Sequence, residues 1–90
     1  MIEKILTIRN RMGLHARPAA KFVEEANKFK SLIHVVKDGL QVNGKSIMGL
    51  MLLAAESGSK LTVKADGPDE ALAIESLAKI FDKFEEYDRH

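Results

Sequence analysis

The stretch LIHVVKDGLQV, residues 32–42, joins two apolar runs through an Asp-Gly pair. Its first run is rich in β-branched side chains, which predicts a strand over residues 32–37. Asp38-Gly39 is typical of a tight hairpin turn, so residues 40–42 should return antiparallel to that strand. The stretch therefore predicts a β-hairpin and, with it, an antiparallel sheet.

Two further segments carry strand patterns. Residues 60–66, KLTVKAD, alternate strictly between apolar and polar side chains, and residues 2–9, IEKILTIR, place Leu6 and Ile8 on one face. Four strands with a single apolar face favour an antiparallel sheet whose other face meets water.

Segments with helical periodicity lie between and after these strands. It predicts a first helix from Ala16 to Lys28, with Pro18 in the first turn, where its missing N–H loses no helical partner. A second helix is expected over residues 47–55, with Ser46 as its N-cap. The segment GPDE at residues 67–70 is typical of a helix start and opens the third. The expected apolar face of this third helix consists of Ile74, Leu77, Ala78, Phe81 and Phe84.

The resulting order is β-α-β-β-α-β-α, an α+β fold in which three helices cover one face of a four-stranded antiparallel sheet. Ninety residues correspond to one domain, so residues 1–90 are expected to form a single unit. The polar residues 86–90 are expected to form a frayed tail, which includes His90.

Composition excludes several classes of function. The chain has 14 Lys+Arg against 13 Asp+Glu, so nothing in its charge indicates a nucleic-acid or membrane partner. It has no cysteine, which excludes disulfides and thiol chemistry. Its three histidines lack metal-ligand spacing, so we expect neither a metal nor a cofactor. Without a signal-peptide pattern or a long apolar run, a cytoplasmic location is expected.

Residues 39–46, GLQVNGKS, match the P-loop pattern G-x-x-x-x-G-K-[ST]. A P-loop needs loop backbone whose N–H groups turn toward phosphate. Here Gly39 belongs to the hairpin turn, and Leu40 and Val42 are typical of a strand that spends its N–H groups on a ladder. We therefore expect a strand and a turn at this place, and not a nucleotide site.

The segment GLHARPAA, residues 13–20, carries the strongest chemical signal. His15 stands where a loop meets a helix, and a helix N-terminus presents unpaired N–H groups and about half a positive charge. Arg17 adds a full positive charge nearby. A neutral imidazole nitrogen in such a place suits nucleophilic attack on phosphorus. From the residues alone, two interpretations stay open: phosphoryl or anion chemistry at His15, or a histidine that merely caps the helix.

GLHARPAA and GKSIMGLMLLAA, residues 44–55, together with the element order, resemble the HPr family, the histidine-containing phosphocarriers of the bacterial phosphoenolpyruvate-dependent phosphotransferase system. The resemblance covers about residues 2–85 and implies an open-faced β-sandwich. It implies that His15 takes a phosphoryl group at ring Nδ1 from phosphorylated enzyme I and passes it to enzyme II A-type domains. Arg17 would stabilise the phosphoryl charge, and the protein would be a carrier without turnover of its own.

The resemblance also implies regulation and docking. Ser46 resembles the serine that an ATP-dependent HPr kinase/phosphorylase modifies, although the sequence alone makes it only an N-cap. In the family, the start of the first helix and the short apolar helix form the docking face. The residues expected to dock partners here are Ala16, Ala20, Ile47, Met48 and Met51.

Rival classes of function each have a distinguishing feature. A nucleotide enzyme would bind ATP, and an interaction module without transfer chemistry would have replaced His15, which GLHARP retains. An RNA-binding domain is disfavoured because the strands lack aromatic stacking residues. His34 is expected on the water-facing side of the sheet, and we expect a monomer. The resemblance does not separate sugar uptake from the nitrogen-related branch of the system.

Overall fold

A computed structural model describes residues 1–88, so His90 lies outside the described residues. Its four strands are β1 (Ile2–Thr7), β2 (Leu32–Lys37), β3 (Leu40–Asn43) and β4 (Lys60–Asp66). They form one antiparallel sheet in the order β1-β4-β2-β3, which confirms the predicted sheet. The first strand ends at Thr7 and not at residue 9, because Ile8 leaves the ladder and bonds instead to Ser59 and Gly58.

Three helices pack on the apolar face of the sheet: α1 (Ala16–Ala26), α2 (Ile47–Leu52) and α3 (Glu70–Asp82). The predicted order and layers are confirmed, but two helices end early. The second helix stops before residue 55 because Ala54 adopts a positive φ of 47°, which an α-helix does not tolerate. Within residues 1–88, none of the helices has the length and apolar character that crossing a bilayer requires.

The core lies between the sheet and the helices. Burying each large apolar side chain contributes about 1.5–3 kcal/mol, so this layer dominates the stability of the domain. The third helix buries Ile74, Leu77 and Phe81 of the face predicted for it, with Ala78 half-buried at its margin. Phe84, the fifth residue of that face, is buried beyond the end of α3, in a 3-10 helix. The fully buried large side chains of the sheet and helices include Ile33, Val35, Leu61, Val63, Phe22 and Leu77.

The hairpin between β2 and β3 has the predicted Asp-Gly turn. Asp38 and Gly39 both have positive φ, 48° and 83°, the conformation of a type I′ turn. Beyond β3, Gly44 N–H donates to Ile33 O at 2.7 Å and Lys45 N–H donates to the Asn43 side chain at 2.8 Å. These N–H groups are already engaged, so the strand-and-turn interpretation of GLQVNGKS is confirmed.

The C-terminal segment differs from its prediction. Phe84–Asp88 forms a 3-10 helix, so the expected fraying is wrong for residues 86–88. Aromatic packing explains the order: Phe84 is buried and stacks on Phe81 with ring centroids 4.6 Å apart. Tyr87 follows with its ring centroid 6.3 Å from that of Phe84. The segment is polar in composition, yet two aromatic side chains anchor it to the core.

Candidate functional site

His15 occupies the N-cap position of α1. Its backbone is extended, with φ −85° and ψ −177°, and its carbonyl accepts the Ala19 N–H at 3.1 Å. The preceding residue, Leu14, is buried and donates its N–H to Ala55 O at 2.9 Å, which fixes the approach of the chain. The His15 ring makes no capping hydrogen bond and is 26% exposed. His15 is therefore the N-cap of α1 by position, as one of its two interpretations expects, but its ring takes no part in the capping.

The ring instead contacts the C-terminal 3-10 helix. His15 Nε2 lies 2.9 Å from Asp88 Oδ1, and the same carboxylate accepts the Asn10 side-chain amide at 2.9 Å and the Met12 N–H at 3.1 Å. Burial alone would raise the pKa of Asp88, but the hydrogen bonds that its carboxylate accepts hold this pKa below its ordinary value. An ionised carboxylate only accepts hydrogen bonds, so Nε2 must carry the proton in this contact.

The motif around His15 does not indicate a contact with Asp88. Its distance of 73 residues from His15 makes the contact purely tertiary, and a short run of acids at a chain end is typical of a solvated tail. The one local signal was the spacing of Phe84 and Tyr87, which continues the apolar face of α3 by one more turn.

Arg17 lies in the first turn of α1 and is exposed. Burial raises the pKa of Tyr87, and the positive charge of Arg17 opposes this rise. Beside His15 lies an open groove whose lining includes Arg11, Met51 and Glu56. The sequence motif had not singled out Arg11. His15 thus has arginines both on its own helix and on the preceding loop.

The five residues predicted to dock partners are all exposed. Met48 is 80% exposed, Ile47 and Met51 are exposed to about half that extent, and Ala16 and Ala20 lie on the outer side of α1. Leu50 and Leu53 hold the opposite side of α2 in the core. Leu52, 71% exposed, extends the surface and was not predicted. We call Ala16, Ala20, Ile47, Met48, Met51 and Leu52 the apolar surface.

Ser46 is the N-cap of α2, as predicted, and its hydroxyl accepts the Gly49 N–H at 3.0 Å. It is half-buried, and the exposed Ile47 and Met48 follow it directly. The neighbouring Lys45 points elsewhere, since its ammonium donates to Phe29 O at 2.8 Å. His34 is half-buried beside Lys64 and Asn43, on the face of the sheet opposite the core, where it was expected.

Comparison with known proteins gives one family. The family model for the PTS HPr component phosphorylation site matches residues 2–83. The phosphocarrier protein HPr of Treponema pallidum is 47% identical over 87 residues, 96% of this chain and 99% of that protein. The HPr-like protein Crh of Halalkalibacterium halodurans is 52% identical over 83 residues, 92% of this chain and 99% of that protein.

Among solved structures, HPr from Thermoanaerobacter tengcongensis superposes with a TM-score of 0.90 at 45% identity, covering 96% of this chain and 97% of that one. The same HPr has also been solved as a dimer. The family match spans nearly the whole chain and includes the segment around His15. The chain belongs to the HPr family of phosphocarrier proteins of the phosphotransferase system.

Proposed function

We propose that this protein accepts a phosphoryl group on His15 Nδ1 from phosphorylated enzyme I and passes it to enzyme II A-type domains. The observation that carries the proposal is the state of the His15 ring: it stands at a helix N-terminus, partly exposed, and does not cap the helix. Its Nε2 is engaged by Asp88, which leaves Nδ1 as the nitrogen with a lone pair in the neutral ring. In this role the protein is a covalent carrier and not a catalyst.

The surroundings of His15 suit a transferring phosphoryl group. The first turn of α1 offers N–H groups that have no acceptor within the helix, together with the positive end of its dipole. Arg17 supplies a guanidinium that can bind phosphoryl oxygens bidentately. Transfer between two histidines requires mainly alignment and charge neutralisation, and this arrangement contributes to both.

Partners are proposed to dock on the apolar surface. It is continuous with the site, because Met51 also lines the groove beside His15. Methionine side chains adapt to different contacts, which suits a carrier that must meet a donor and several acceptors in turn. We propose that enzyme I and the A-type domains use this same surface successively.

Ser46 is proposed as a regulatory site for an HPr kinase/phosphorylase. Its hydroxyl lies at the first turn of α2, directly before the exposed part of the apolar surface. A phosphate there would be tolerated by the helix N-terminus, so it would change docking without unfolding the domain.

Intact-mass measurement tests the carrier role. The protein is mixed with phosphoenolpyruvate and enzyme I, and the mass is measured before and after brief acid treatment. We expect one added phosphoryl group that acid removes, that is absent in His15→Ala and that persists in His34→Ala, the matched control on the sheet. No added mass with an enzyme I that is active on another carrier would overturn the proposal.

A regulatory interaction module is the second candidate, since a 49% identical relative of solved structure is described as Crh, the catabolite repression HPr of Bacillus subtilis. Retention of His15 with an engaged Nε2 favours the carrier.

We propose that the carrier works as a monomer, and sedimentation equilibrium at working concentrations tests this. A dimer mass would overturn the monomer.

A further inference from the structure

The contact between His15 and Asp88 joins the motif histidine to a segment that the family match does not reach. The family model ends at residue 83, whereas Asp88 closes the 3-10 helix of the C-terminal segment. Its side chain is only 15% exposed, so the carboxylate is packed within the domain and does not belong to a solvated surface ion pair. The function of this contact therefore has to be inferred from this chain itself.

We propose that Asp88 is a positioning residue for His15, fixing the ring proton on Nε2 and so presenting Nδ1 as the nucleophile. The inference rests on the proposed carrier function and adds a residue to it. A neutral imidazole exists in two tautomers, and a carboxylate at Nε2 stabilises the one whose Nδ1 is unprotonated. The hydrogen bond at 2.9 Å also restrains rotation of the ring.

The carboxylate is itself rigidly placed. Asn10 donates to Asp88 Oδ1 and also to Gly13 O at 2.7 Å, so one buried amide links the carboxylate to the loop that carries His15. Met12 N–H holds the second carboxylate oxygen. These bonds leave Asp88 ionised at neutral pH, as its lowered pKa requires, and an ionised acceptor is the form that holds an N–H donor.

Transfer creates a charge that Asp88 can stabilise. When Nδ1 bonds to phosphorus, the N–P bond of the donor breaks, and its electron pair returns to the donor nitrogen. His15 keeps its proton on Nε2, so its ring becomes cationic as the phosphoryl group arrives. The negative charge of Asp88 then lies 2.9 Å from the cationic nitrogen, on the far side of the ring from the phosphoryl group. A cationic ring is also the better leaving group in the next transfer.

Two variants and one control separate this role from general effects. Asp88→Ala removes both the acceptor and the charge, whereas Asp88→Asn keeps an acceptor oxygen without the charge. Glu85→Ala is the matched control, because Glu85 is exposed on the same 3-10 helix and its loss changes the net charge equally. Phe84 and Tyr87 keep the helix anchored in all three.

The first readout is the exchange of the His15 Nε2 proton with water, followed by NMR in the unphosphorylated protein. We expect a protected proton in the wild type and in Glu85→Ala, and an unprotected one in Asp88→Ala. An unprotected Nε2 proton in the wild type, or equal protection in Asp88→Ala, would overturn the proposal whatever the transfer activity.

The second readout is steady-state phosphorylation by enzyme I. We expect Asp88→Ala to lower kcat about tenfold, as for loss of a hydrogen bond to a charged group, with KM changed by less than about twofold. The kcat of Asp88→Asn should lie between those of the wild type and Asp88→Ala, and the kcat of Glu85→Ala should match that of the wild type. Wild-type transfer with an unchanged kcat in Asp88→Ala would overturn the positioning role alone. Failure of the wild type with active enzyme I would overturn the carrier function and this role with it.

Discussion

Ser31 and Asp69 join the start of β2 to the start of α3. The buried Ser31 hydroxyl donates to the Asp69 carboxylate, which also accepts the backbone N–H groups of Lys30 and Ser31 at 2.9 and 3.0 Å. Asp69 is the N-cap of α3 by position, yet its side chain makes no capping bond. It therefore serves the connection between two elements in place of its own helix.

This contact predicts a pH-dependent stability. The Ser31 hydroxyl and the Lys30 N–H hold the pKa of Asp69 below its ordinary value. The contact thus stabilises the fold above the unfolded-state pKa, about 3.9, and its contribution is lost as the pH falls through the lower folded-state pKa. We expect Asp69→Asn to lower the urea midpoint at about pH 7, and this deficit should shrink as the pH falls below about 3.9.

The exposed Asp82, at the other end of α3, supplies the control for this titration. Asp82→Asn should leave the midpoint nearly unchanged throughout this pH range. A deficit in Asp69→Asn of the same size in acid would contradict the assignment.

Gly67 lies close to Ser31, and this close approach predicts a loss of stability when Gly67 is replaced. It has φ 157°, and an added Cβ would lie 2.6 Å from the Ser31 Cα. Gly58 also has a positive φ, 90°, but nothing lies within 4 Å of its added Cβ. We expect Gly58→Ala to cost about 1 kcal/mol of unfolding free energy, from backbone strain alone. Gly67→Ala should cost about 3 kcal/mol, because the clash adds to the strain. Equal losses in chemical denaturation would show that the close approach is unimportant.

Most of the fold could be predicted because its strands, turns and helices follow from patterns among residues that are close in sequence. The alternation of residues 60–66 and the Asp38-Gly39 pair each fix a conformation within a few residues. Helix ends were less predictable. Nothing in the apolar run LMLLAA indicates that Ala54 takes a positive φ of 47°. The next residue, Ala55, accepts the N–H of Leu14, and the run itself does not show this contact between distant parts of the chain.

In the candidate site, too, the residues placed by a local motif could be predicted, and the residue placed by a tertiary contact could not. His15 and Arg17 belong to one contiguous motif at a helix start, so their placement followed from local rules. Asp88 reaches His15 only because the aromatic side chains of Phe84 and Tyr87 fold the C-terminal segment back onto the core. Such a contact depends on the packing of the whole domain, which a single sequence does not display.

Met48 predicts a docking effect that is separate from chemistry. It is 80% exposed, so truncation should cost little stability, but it is the most exposed large side chain of the apolar surface and lies two residues after Ser46. We expect Met48→Ala to raise KM for phosphorylation by enzyme I about fivefold with kcat unchanged, as for loss of one contributing interface side chain. Leu72→Ala, at a 63% exposed position on α3, is the control and should leave KM unchanged. A fall in kcat with constant KM would place Met48 outside the docking surface.

Ser46 predicts the effect of added charge beside the apolar surface, where partners are proposed to dock. Asp and Asn both replace Ser well as N-caps, so Ser46→Asp and Ser46→Asn should each preserve the bond from the Gly49 N–H and the stability of α2. Only Ser46→Asp adds a negative charge beside Ile47 and Met48, where an acidic group on a docking partner would be repelled. We expect Ser46→Asp to lower kcat/KM for phosphorylation of His15 by enzyme I about tenfold, and Ser46→Asn to match the wild type. High salt should narrow the difference, because screening weakens exposed charges. An unchanged rate in Ser46→Asp, or an equal loss in Ser46→Asn, would refute regulation by charge at this position.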